Sequence, residues 1–326
     1  MFQKLKNVYH LFQAIIANII YGFPSRKLKV IGITGTDGKT TTTHLIVHIL
    51  KMAEKKVSFI SSVFASIGGQ EYDIGFHVTT PSPFALQKLL KQSTDNNDEY
   101  FVLETTSHAL DQNRVWGIKY EIGIITNITH EHLDYHGTYE NYAKTKLKLL
   151  KMAKVGIKNT DKIINIIKKI PNLTKFNQYN YSIAYTVCQK LGLSDEMILK
   201  AMKTFQLPKG RLDLVYDKDF KGLRDFTKRP LMGEASDKFS DIIILTEEDY
   251  RTEDPQLICQ QITSRIKNKN YQIILNRQRA INKAMKTAKR NDVVVITGKG
   301  HENSLCRGKI EYPWNEYEAV KKALKI

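Results

Sequence analysis

The sequence predicts an α/β protein with a mostly parallel sheet in a central domain and a smaller, Rossmann-like α/β domain after it. Short apolar runs rich in β-branched residues alternate with longer segments whose apolar residues recur at helical spacing. This alternation runs through both halves of the 326 residues, a length that accommodates two domains with separate cores. Ligands of parallel sheets lie beyond the carboxyl ends of the strands.

In the first half, polar residues follow the predicted strands, which span 28–34, 57–62, 100–105 and 122–127. Helical spacing predicts helices over 41–53, up to about residue 91, and over 138–151, 179–191 and 194–205. Because the carboxyl ends of parallel strands meet at one edge of a sheet, we expect the polar residues after these strands to converge on one site.

The second half repeats the alternation on a smaller scale. Its predicted strands span 241–246, 271–276 and 292–300, and its predicted helices span 255–267 and 277–290. We place the boundary near Asp213, which gives an N-terminal segment 1–27, a central domain 28–213 and a C-terminal domain 214–326.

Residues 31–41 read IGITGTDGKTT and connect the first predicted strand to the first predicted helix. Glycines let the backbone approach a phosphate, Lys39 adds a positive charge, and Thr40 offers a hydroxyl to Mg²⁺. Ile33 stands where the generic phosphate-binding loop (P-loop) has its first glycine, so that motif is matched in part. The alternative is a glycine-rich turn without a ligand, and we favour nucleotide binding.

The net charge and the residue composition of the chain limit the classes of partner that it is expected to bind. The net charge of +17 suits an anion such as a nucleotide, a sugar diphosphate or an anionic membrane. Lysine is spread along the whole chain, and no basic run is interleaved with aromatic residues, so we expect no nucleic-acid partner. The three cysteines form no C-x-x-C pair, which indicates neither zinc nor disulfides and fits a reduced, cytoplasmic location.

The N-terminal segment contains an apolar run from residue 8 to 23. It is short for a membrane span, contains His10, Gln13 and Asn18, and has no small-residue cleavage site. Within residues 9–23 the apolar side chains recur at helical spacing, at Leu11, Phe12, Ile15, Ile16, Ile19, Ile20 and Phe23.

This pattern predicts an amphipathic helix, for which two interpretations remain open. The one we favour is that the apolar stripe packs on the central domain. The other is an interfacial helix in peripheral contact with an anionic membrane, because five cations flank it: Lys4, Lys6, Arg26, Lys27 and Lys29.

Nine short motifs occur along the chain in a fixed order. They are GTDGKTT (35–41), TTP (79–81), E-x-x-S-H-A-L (104–110), T-N…H-L-D-Y-H-G-T (126–138), F-N-x-Y-N (176–180), KGR (209–211), KRPLM (228–232), RTEDP (251–255) and GKGHE (298–302). With these motifs the sequence resembles the Mur ligases, most closely the MurE type, which adds the third amino acid to UDP-N-acetylmuramoyl-dipeptide.

The resemblance implies an ATP- and Mg²⁺-dependent amide ligase of peptidoglycan precursor synthesis, expected to be a cytoplasmic monomer. Its partners would be a UDP-N-acetylmuramoyl-peptide and a free amino acid. The γ-phosphate of ATP activates a carboxylate as an acyl phosphate, which the incoming amine attacks. Folylpolyglutamate synthetase shares this chemistry, but HLDYHGT and GKGHE argue against it. A degenerate nucleotide-binding or scaffold protein without ligase activity is the alternative from another class.

The resemblance also assigns residues. Lys39, Glu104, His132 and Lys146 match catalytic positions. Thr40 and Glu104 match the first Mg²⁺ site, His132 lies near the second, and Lys146 matches a lysine that the family carbamylates into a metal ligand. Taken singly, Glu104 could be a solvated strand end, His132 a loop histidine and Lys146 a surface lysine. The positions matched to ATP are Gly35, Thr36, Asp37, Gly38, Lys39, Thr40, Thr41, Asn177 and Asn180.

Two further groups match substrate positions. Thr79, Thr80, Ser107 and Arg114 correspond to residues that hold the muramoyl-peptide. Arg229, Arg251, Gly298 and Glu302 correspond to the pocket for the incoming amino acid, where an arginine suits a carboxylate and a glutamate suits a distal amine.

The sequence also departs from the family pattern. The motif D-N-P-R reads EDYR at 248–251, which leaves meso-diaminopimelate and lysine as alternatives for the amino acid. Residues 1–27 stand where the family has its UDP-binding domain, part of the central domain is absent after Lys151, and a D-Y-A-H-x-P segment is missing between Asp213 and Gly222.

Overall fold

The computed structural model describes residues 2–72, 79–129, 131–158, 165–170, 173, 175–206, 229–267, 270–289, 292–299 and 302–325. The chain forms two compact units, unit 1 (Met1–Pro208) and unit 2 (Lys209–Ile326). The predicted boundary near Asp213 and the KGR motif lie outside the described residues.

Unit 1 contains a sheet and the helices that cover it. Its strands are β1 (Lys29–Thr34), β2 (Val57–Ile60), β3 (Ala65–Ile67), β4 (Gln70–Tyr72), β5 (Tyr100–Glu104), β6 (Tyr120–Ile125) and β7 (Ala153–Lys158). Its helices are α1 (Phe2–Ile20), α2 (Lys39–Met52), α3 (Pro83–Asp95), α4 (Ser107–Asp111), α5 (Leu133–His136), α6 (Tyr139–Met152), α7 (Lys175–Lys190) and α8 (Asp195–Thr204).

The seven strands are ordered β4-β3-β2-β5-β1-β6-β7. Strands β2, β5, β1, β6 and β7 are parallel, while β3 and β4 add an antiparallel hairpin at one edge. In the central three strands Ile33 pairs with Glu104 on one side and with Ile124 on the other. The segments after β1, β5 and β6 therefore start from the same edge of the sheet, as the sequence predicted.

Both faces of this sheet are covered. On one face α2, α7 and α8 pack on the sheet through a cluster that includes Leu45, Ile49, Val187 and Ile198. The other face packs against α3 and α4 in a second cluster. Burying a leucine or isoleucine in this way contributes about 1.5–3 kcal/mol each, so α2 is anchored over nearly its whole length beneath the loop that precedes it.

Helix α1 packs on unit 1 with its small residues, not with its apolar stripe. Ala14, Ala17 and Asn18 are fully buried, whereas the side chain of Phe12 is 61% exposed. Small side chains allow the helix to approach closely, and the Asn18 amide donates to the backbone carbonyl of Trp116 at 2.9 Å. The expectation that the stripe packs on the central domain is therefore wrong for four of its members, Phe12, Ile16, Ile19 and Ile20.

No described helix is both long and apolar enough to cross a membrane.

Unit 2 has smaller sheets than unit 1. Its helices are α9 (Arg229–Phe239), α10 (Pro255–Thr263), α11 (Arg277–Thr287) and α12 (Glu316–Leu324), and its strands are β8 (Ile243–Leu245), β9 (Tyr271–Ile273), β10 (Ser304–Arg307) and β11 (Ile310–Pro313). Strands β8 and β9 form a parallel pair, and β10 and β11 form an antiparallel hairpin.

The strand predicted over 292–300 is wrong for residues 292–299, which adopt no regular structure. The apolar run DVVVIT has strand propensity, but in the described part of the chain it pairs with no neighbouring strand. Val293 is 78% exposed, so this side chain contacts no covering layer. Strand propensity alone does not produce a strand when no neighbouring strand is available for hydrogen bonding.

Candidate active site

The loop between β1 and α2 is fixed by contacts with the segment that follows β6. The backbone N–H of Asp37 donates to the side-chain oxygen of Asn127 at 2.8 Å. Lys39, in the first turn of α2, donates from Nζ to the carbonyls of Gly35 and Thr36 at 2.9 and 2.7 Å. The ammonium group thus lies over the loop, beside a helix N-terminus that favours an anion.

Gly38 precedes α2 in a conformation that suits glycine, with φ of 77°. A Cβ atom at this position would lie 2.2 Å from the side-chain oxygen of Asn180 on α7. Asn180 in turn donates to Asn177 at 3.3 Å and accepts from Thr42 at 3.5 Å. The two asparagines that the sequence matched to ATP binding therefore lie against the start of α2, and Gly38 leaves room for them.

Replacing Gly38 with alanine is expected to destabilise unit 1 by about 1–2 kcal/mol, because an L-residue is strained in the left-handed region. It should also weaken nucleotide binding, since Asn180 must move. Thermal unfolding and calorimetric titration with ATP measure the two effects. Gly192→Ala is the matched control, because Gly192 has φ of 86° with no atom of the described residues within 4 Å of its missing Cβ. Equal nucleotide affinity in both variants would contradict this role of Gly38.

A buried hydroxyl and a buried carboxylate lie together at the edge of the sheet. Thr40 donates from Oγ1 to Oε1 of Glu104 at 2.8 Å, and both side chains are almost completely buried. Ser62 contacts both groups, since its hydroxyl is 2.7 Å from Thr40 Oγ1 and its backbone N–H donates to Oε2 of Glu104. Glu104 is thus not a solvated strand end.

Lys146 lies inside the molecule beside the loop, not at the surface. It is 2% exposed, and its Nζ donates to the carbonyl of Gly35 at 2.6 Å. The ring of Tyr142 lies 4.5 Å from Nζ, and the Tyr142 hydroxyl shares a hydrogen bond of 3.0 Å with Thr36. Burial, reinforced by the positive charge of Lys39, holds the pKa of Lys146 well below its ordinary value.

His132 immediately precedes α5 and belongs to a group of three histidines. Its ring lies 4.9 Å from that of His108, which in turn lies 5.8 Å from that of His136. Partial burial lowers the pKa of His132 to about 3, assisted by positive charge on His108 and Lys146. Sequence reasoning did not select His108 and His136, although both stand in the SHAL and HLDYHGT motifs that it used.

The predicted peptide-binding residues lie near the backbone of Glu104 and the histidine group. Thr80 donates from its hydroxyl to the backbone carbonyl of Glu104 at 3.0 Å, and Arg114 donates from Nη1 to the carbonyl of Thr80 at 2.7 Å. Ser107 shares a hydrogen bond of 3.1 Å with His136. The Nε atom of Arg114 is buried and has no hydrogen-bond partner among the described residues. Its guanidinium therefore retains a donor for an anionic group.

The structure thus brings one set of predicted residues together within unit 1, around the loop and the ends of β5 and β6. The set joins the loop to Glu104, His132, Lys146, the two asparagines and the peptide-binding group, in which Thr79 is half-buried beside Thr80. Ser62 and Tyr142 also contact this set but were not predicted, because neither residue lies within one of the nine motifs.

In unit 2, the buried guanidinium of Arg229 is held in an ion pair with an exposed carboxylate. It is 1% exposed and donates from both Nη atoms to the carboxylate of Glu253, at 3.0 and 2.9 Å. A further bond of 2.7 Å joins Nη1 to Gln261. This geometry connects α9 to α10 and gives Arg229 a structural role, and its contact with a substrate stays a prediction.

The surroundings of Arg251 and Glu302 differ from those of Arg229. Arg251 is partly exposed, with Nη2 3.8 Å from Glu311, and its buried Nε lacks a partner among the described residues. Glu302 accepts from the buried Nζ of Lys299 at 2.5 Å, and the same nitrogen donates to Asp249 at 2.7 Å. Gly298, with φ of 109°, lies beside Glu248, and its missing Cβ would be 3.4 Å from that side chain.

Glu248 belongs to an acidic group at a small cleft that Arg229 also lines. Carboxylate oxygens of Glu248, Asp249 and Glu302 lie within 4.8 Å of one another. Burial, with the negative charges of Asp249 and Glu302, raises the pKa of Glu248 to about 7 from 4.5. Lys299 offsets part of this repulsion.

The raised pKa of Glu248 predicts a pH-dependent stability. The folded protein binds a proton that the unfolded chain releases above pH 4.5, so stability is lost as pH rises from there through about 7. Glu248→Gln keeps the neutral shape and should be more stable than the parent by about 2 kcal/mol at pH 8, with no gain at pH 4. Calorimetric unfolding across this range, with Glu318→Gln as an exposed control, measures it. A gain that does not vary with pH would contradict the assignment.

Comparison with known proteins decides the family. Residues 33–212 match the Mur ligase middle domain, and residues 195–300 match the Mur ligase glutamate ligase domain. The chain belongs to the Mur ligase family. This confirms the resemblance, the α/β fold class and the predicted class of enzyme, an ATP-dependent amide ligase of peptidoglycan precursor synthesis.

Curated relatives of this Mur ligase cover nearly its whole length. The UDP-N-acetylmuramoyl-L-alanyl-D-glutamate–2,6-diaminopimelate ligase 1 of Clostridium acetobutylicum is 33% identical, with 96% of this chain and 81% of the relative aligned. The corresponding ligase of Aquifex aeolicus is also 33% identical, over 94% and 80%. A UDP-N-acetylmuramyl-tripeptide synthetase of Borreliella burgdorferi is 30% identical, over 96% and 80%.

Solved structures agree on the fold. A UDP-N-acetylmuramoyl-L-alanyl-D-glutamate–2,6-diaminopimelate ligase superposes with a TM-score of 0.52 at 22% identity, covering 91% of this chain and 78% of that one. A pseudomurein peptide ligase type C from Methanothermus fervidus gives 0.60 at 16% identity, covering 84% and 76%. At these identities the likeness shows a common fold.

Proposed function

We propose that this Mur ligase uses ATP and Mg²⁺ to join 2,6-diaminopimelate to the carboxylate of a UDP-N-acetylmuramoyl-dipeptide. The observation that carries the proposal is the buried contact between Thr40 and Glu104 beside two lysines, Lys39 and Lys146, at one phosphate-binding loop. The amino acid is the one that the names of the clostridial and Aquifex relatives print.

The surroundings of Glu104 fit a divalent cation. Its carboxylate is fully buried and accepts from the Thr40 hydroxyl and the Ser62 N–H, while no cationic side chain of the described residues pairs with it. A buried carboxylate without a counter-charge is costly, and a metal ion would offset that cost. Thr40 and Glu104 offer the hard oxygen ligands that Mg²⁺ prefers, and the bound ion would supply charge neutralisation at the phosphates.

Lys146 is proposed to become carbamylated. Its lowered pKa favours the neutral amine, which is the form that attacks carbon dioxide, and the product is a carboxylate-like group on a buried side chain. That group would add a second oxygen ligand near the loop. His132, whose pKa is also lowered, keeps a neutral ring with a nitrogen available to a metal.

The substrate carboxylate is proposed to approach from the side of Thr80, Ser107 and Arg114. The unused Nε donor of Arg114 suits an anionic group, because a charge-assisted hydrogen bond from a guanidinium is strong. In unit 2, Arg251 is the candidate for the carboxylate of the amino acid, since Arg229 is already paired, and Glu302 is the candidate for its distal amine.

Ligation is tested by measuring ADP release with UDP-N-acetylmuramoyl-dipeptide, with and without each candidate amino acid. The proposal expects release that depends on the dipeptide and is greatest with meso-diaminopimelate. Greater ADP release with lysine would identify lysine as the added amino acid and would still support the proposed ligation mechanism. ATP binding without any release would favour the scaffold interpretation. We place the enzyme in the cytoplasm as a monomer, which equilibrium sedimentation of the purified chain would check.

A further inference from the structure

The exposed face of α1 carries most of the exposed large hydrophobic side chains on the described surface of unit 1. Ten large hydrophobic side chains are exposed there, and seven of them belong to α1: Leu5, Val8, Tyr9, Phe12, Ile16, Ile19 and Ile20. Their spacing of three or four residues places them along one side of the helix, which we call the outer stripe. A contiguous exposed stripe of this kind marks an interaction surface.

The outer stripe cannot turn inward, because the opposite face of α1 is fixed by specific contacts. Asn18 is fully buried and donates to the carbonyls of Ala14 and Trp116 at 2.8 and 2.9 Å. Asn7 donates to Asp111 at 3.0 Å. Rotation of the helix would break the bonds to Trp116 and Asp111 and expose the buried face of the helix. The stripe therefore remains available on the folded protein.

Positive charge lies on α1 and beyond the C-terminal end of the outer stripe. Helix α1 contains no acidic residue, and Lys6 is exposed on it. Just beyond the helix, a shallow cleft is lined by Arg26, Lys27, Lys29 and Lys119 together with two glutamates. Both glutamates are already paired, Glu99 with Lys29 at 2.8 Å and Glu121 with Lys154 at 2.9 Å. The remaining cations make this end of the stripe strongly basic.

Aromatic side chains lie at the margin of the same surface. Trp116 is 40% exposed, and its carbonyl accepts the bond from Asn18, so it lies beside the C-terminal half of α1. Tyr9 is exposed on the helix itself. Tryptophan and tyrosine favour the boundary between water and hydrocarbon, where the apolar part of the ring leaves water and the polar atom stays hydrated.

We propose that the outer stripe of α1 binds the surface of an anionic bilayer, with the helix axis parallel to the membrane plane. The apolar side chains would enter the headgroup boundary, and Lys6, Arg26, Lys27 and Lys119 would contact anionic headgroups. A second copy of the chain is a poorer occupant, because a symmetric contact would place these cations against each other. The contact holds the enzyme at a membrane independently of its catalytic activity.

The test is co-sedimentation of the full-length protein with vesicles. Phosphatidylcholine vesicles with and without phosphatidylglycerol are compared at low and high salt. We expect binding to the anionic vesicles that weakens with salt, and at least about tenfold weaker binding for Phe12→Gln/Ile16→Gln. Arg26→Glu/Lys27→Glu should abolish the preference for anionic lipid. Met52→Gln and Lys203→Glu, exposed positions outside α1, are the matched controls and should bind as the parent does.

Two results would overturn the proposal. One is a parent protein that never sediments with anionic vesicles, or that binds no better than Phe12→Gln/Ile16→Gln. The other is a parent that forms dimers which the same double substitution converts to monomers, because the stripe would then be covered by a second copy. Circular dichroism of each variant checks that the substitutions leave the fold intact, which the exposure of both side chains predicts.

Discussion

Lys39→Ala is expected to lose ATP affinity by about 10- to 100-fold, since a charge-assisted hydrogen bond contributes about 1.5–3 kcal/mol. The side chain is positioned for this role by α2, whose apolar residues are buried, and its Nζ already lies over the loop carbonyls of Gly35 and Thr36. Phosphate oxygens would replace these two acceptors. Isothermal titration with Mg·ATP measures the loss.

The control for this change lies on the same helix. Lys51 is exposed near the C-terminal end of α2, about 18 Å along the axis from Lys39, and Lys51→Ala should bind ATP as the parent does. Thermal unfolding of both variants separates a binding defect from a folding defect. If Lys39→Ala retained the affinity of the parent, the nucleotide site would have to lie elsewhere in the chain.

Lys146→Ala should reduce ligase turnover by about 100- to 1000-fold while leaving ATP binding largely intact. The loss follows because a buried group close to the loop is removed, together with the carboxylate that carbamylation would create. Short carboxylic acids such as acetate should restore part of the activity, since a small acid can occupy the vacated volume. Rates of ADP release with the complete set of substrates measure both effects.

A second substitution at Lys146 separates the loss of the amine from the loss of side-chain volume. Lys146→Met keeps most of the volume, so it should be as stable as the parent or more so, yet inactive and not rescued by acids. Labelled carbon dioxide should give a carbamate signal in the parent that both variants lack. Normal turnover in the alanine variant would exclude a catalytic role for this lysine.

Sequence periodicity predicted the strands that are buried on both faces. Strands β1, β5 and β6 are continuous apolar runs buried on both faces, and a run of that kind has few other structures open to it. The stripe of α1 shows the limit of this reasoning. Periodicity located the helix, but which face turns inward depends on Asn18 and the small residues beside it, and these contacts are made with residues distant in sequence.

Motif matching found the residues of the site, but it did not predict their burial or their charged and hydrogen-bonded partners. That Lys146 is buried and Glu104 lacks a cationic neighbour among the described residues depends on how α6 and β5 pack against the loop. Arg229 was matched to a substrate role, yet its partners Glu253 and Gln261 stand more than twenty residues away along the chain and no local pattern predicts their approach. Pairing of this kind is visible only in three dimensions.

The contacts that shape the phosphate-binding loop are separated widely along the chain, and this bears on when the enzyme becomes competent during synthesis. Tyr142 and Lys146 reach the loop across more than a hundred residues, and Asn180 reaches α2 across 138. Closing such long chain segments is slow, and domains emerge from the ribosome N-terminus first. A nascent chain that ends before α7 would present the complete GTDGKTT motif without its supports, so tight ATP binding would report that unit 1 has finished folding.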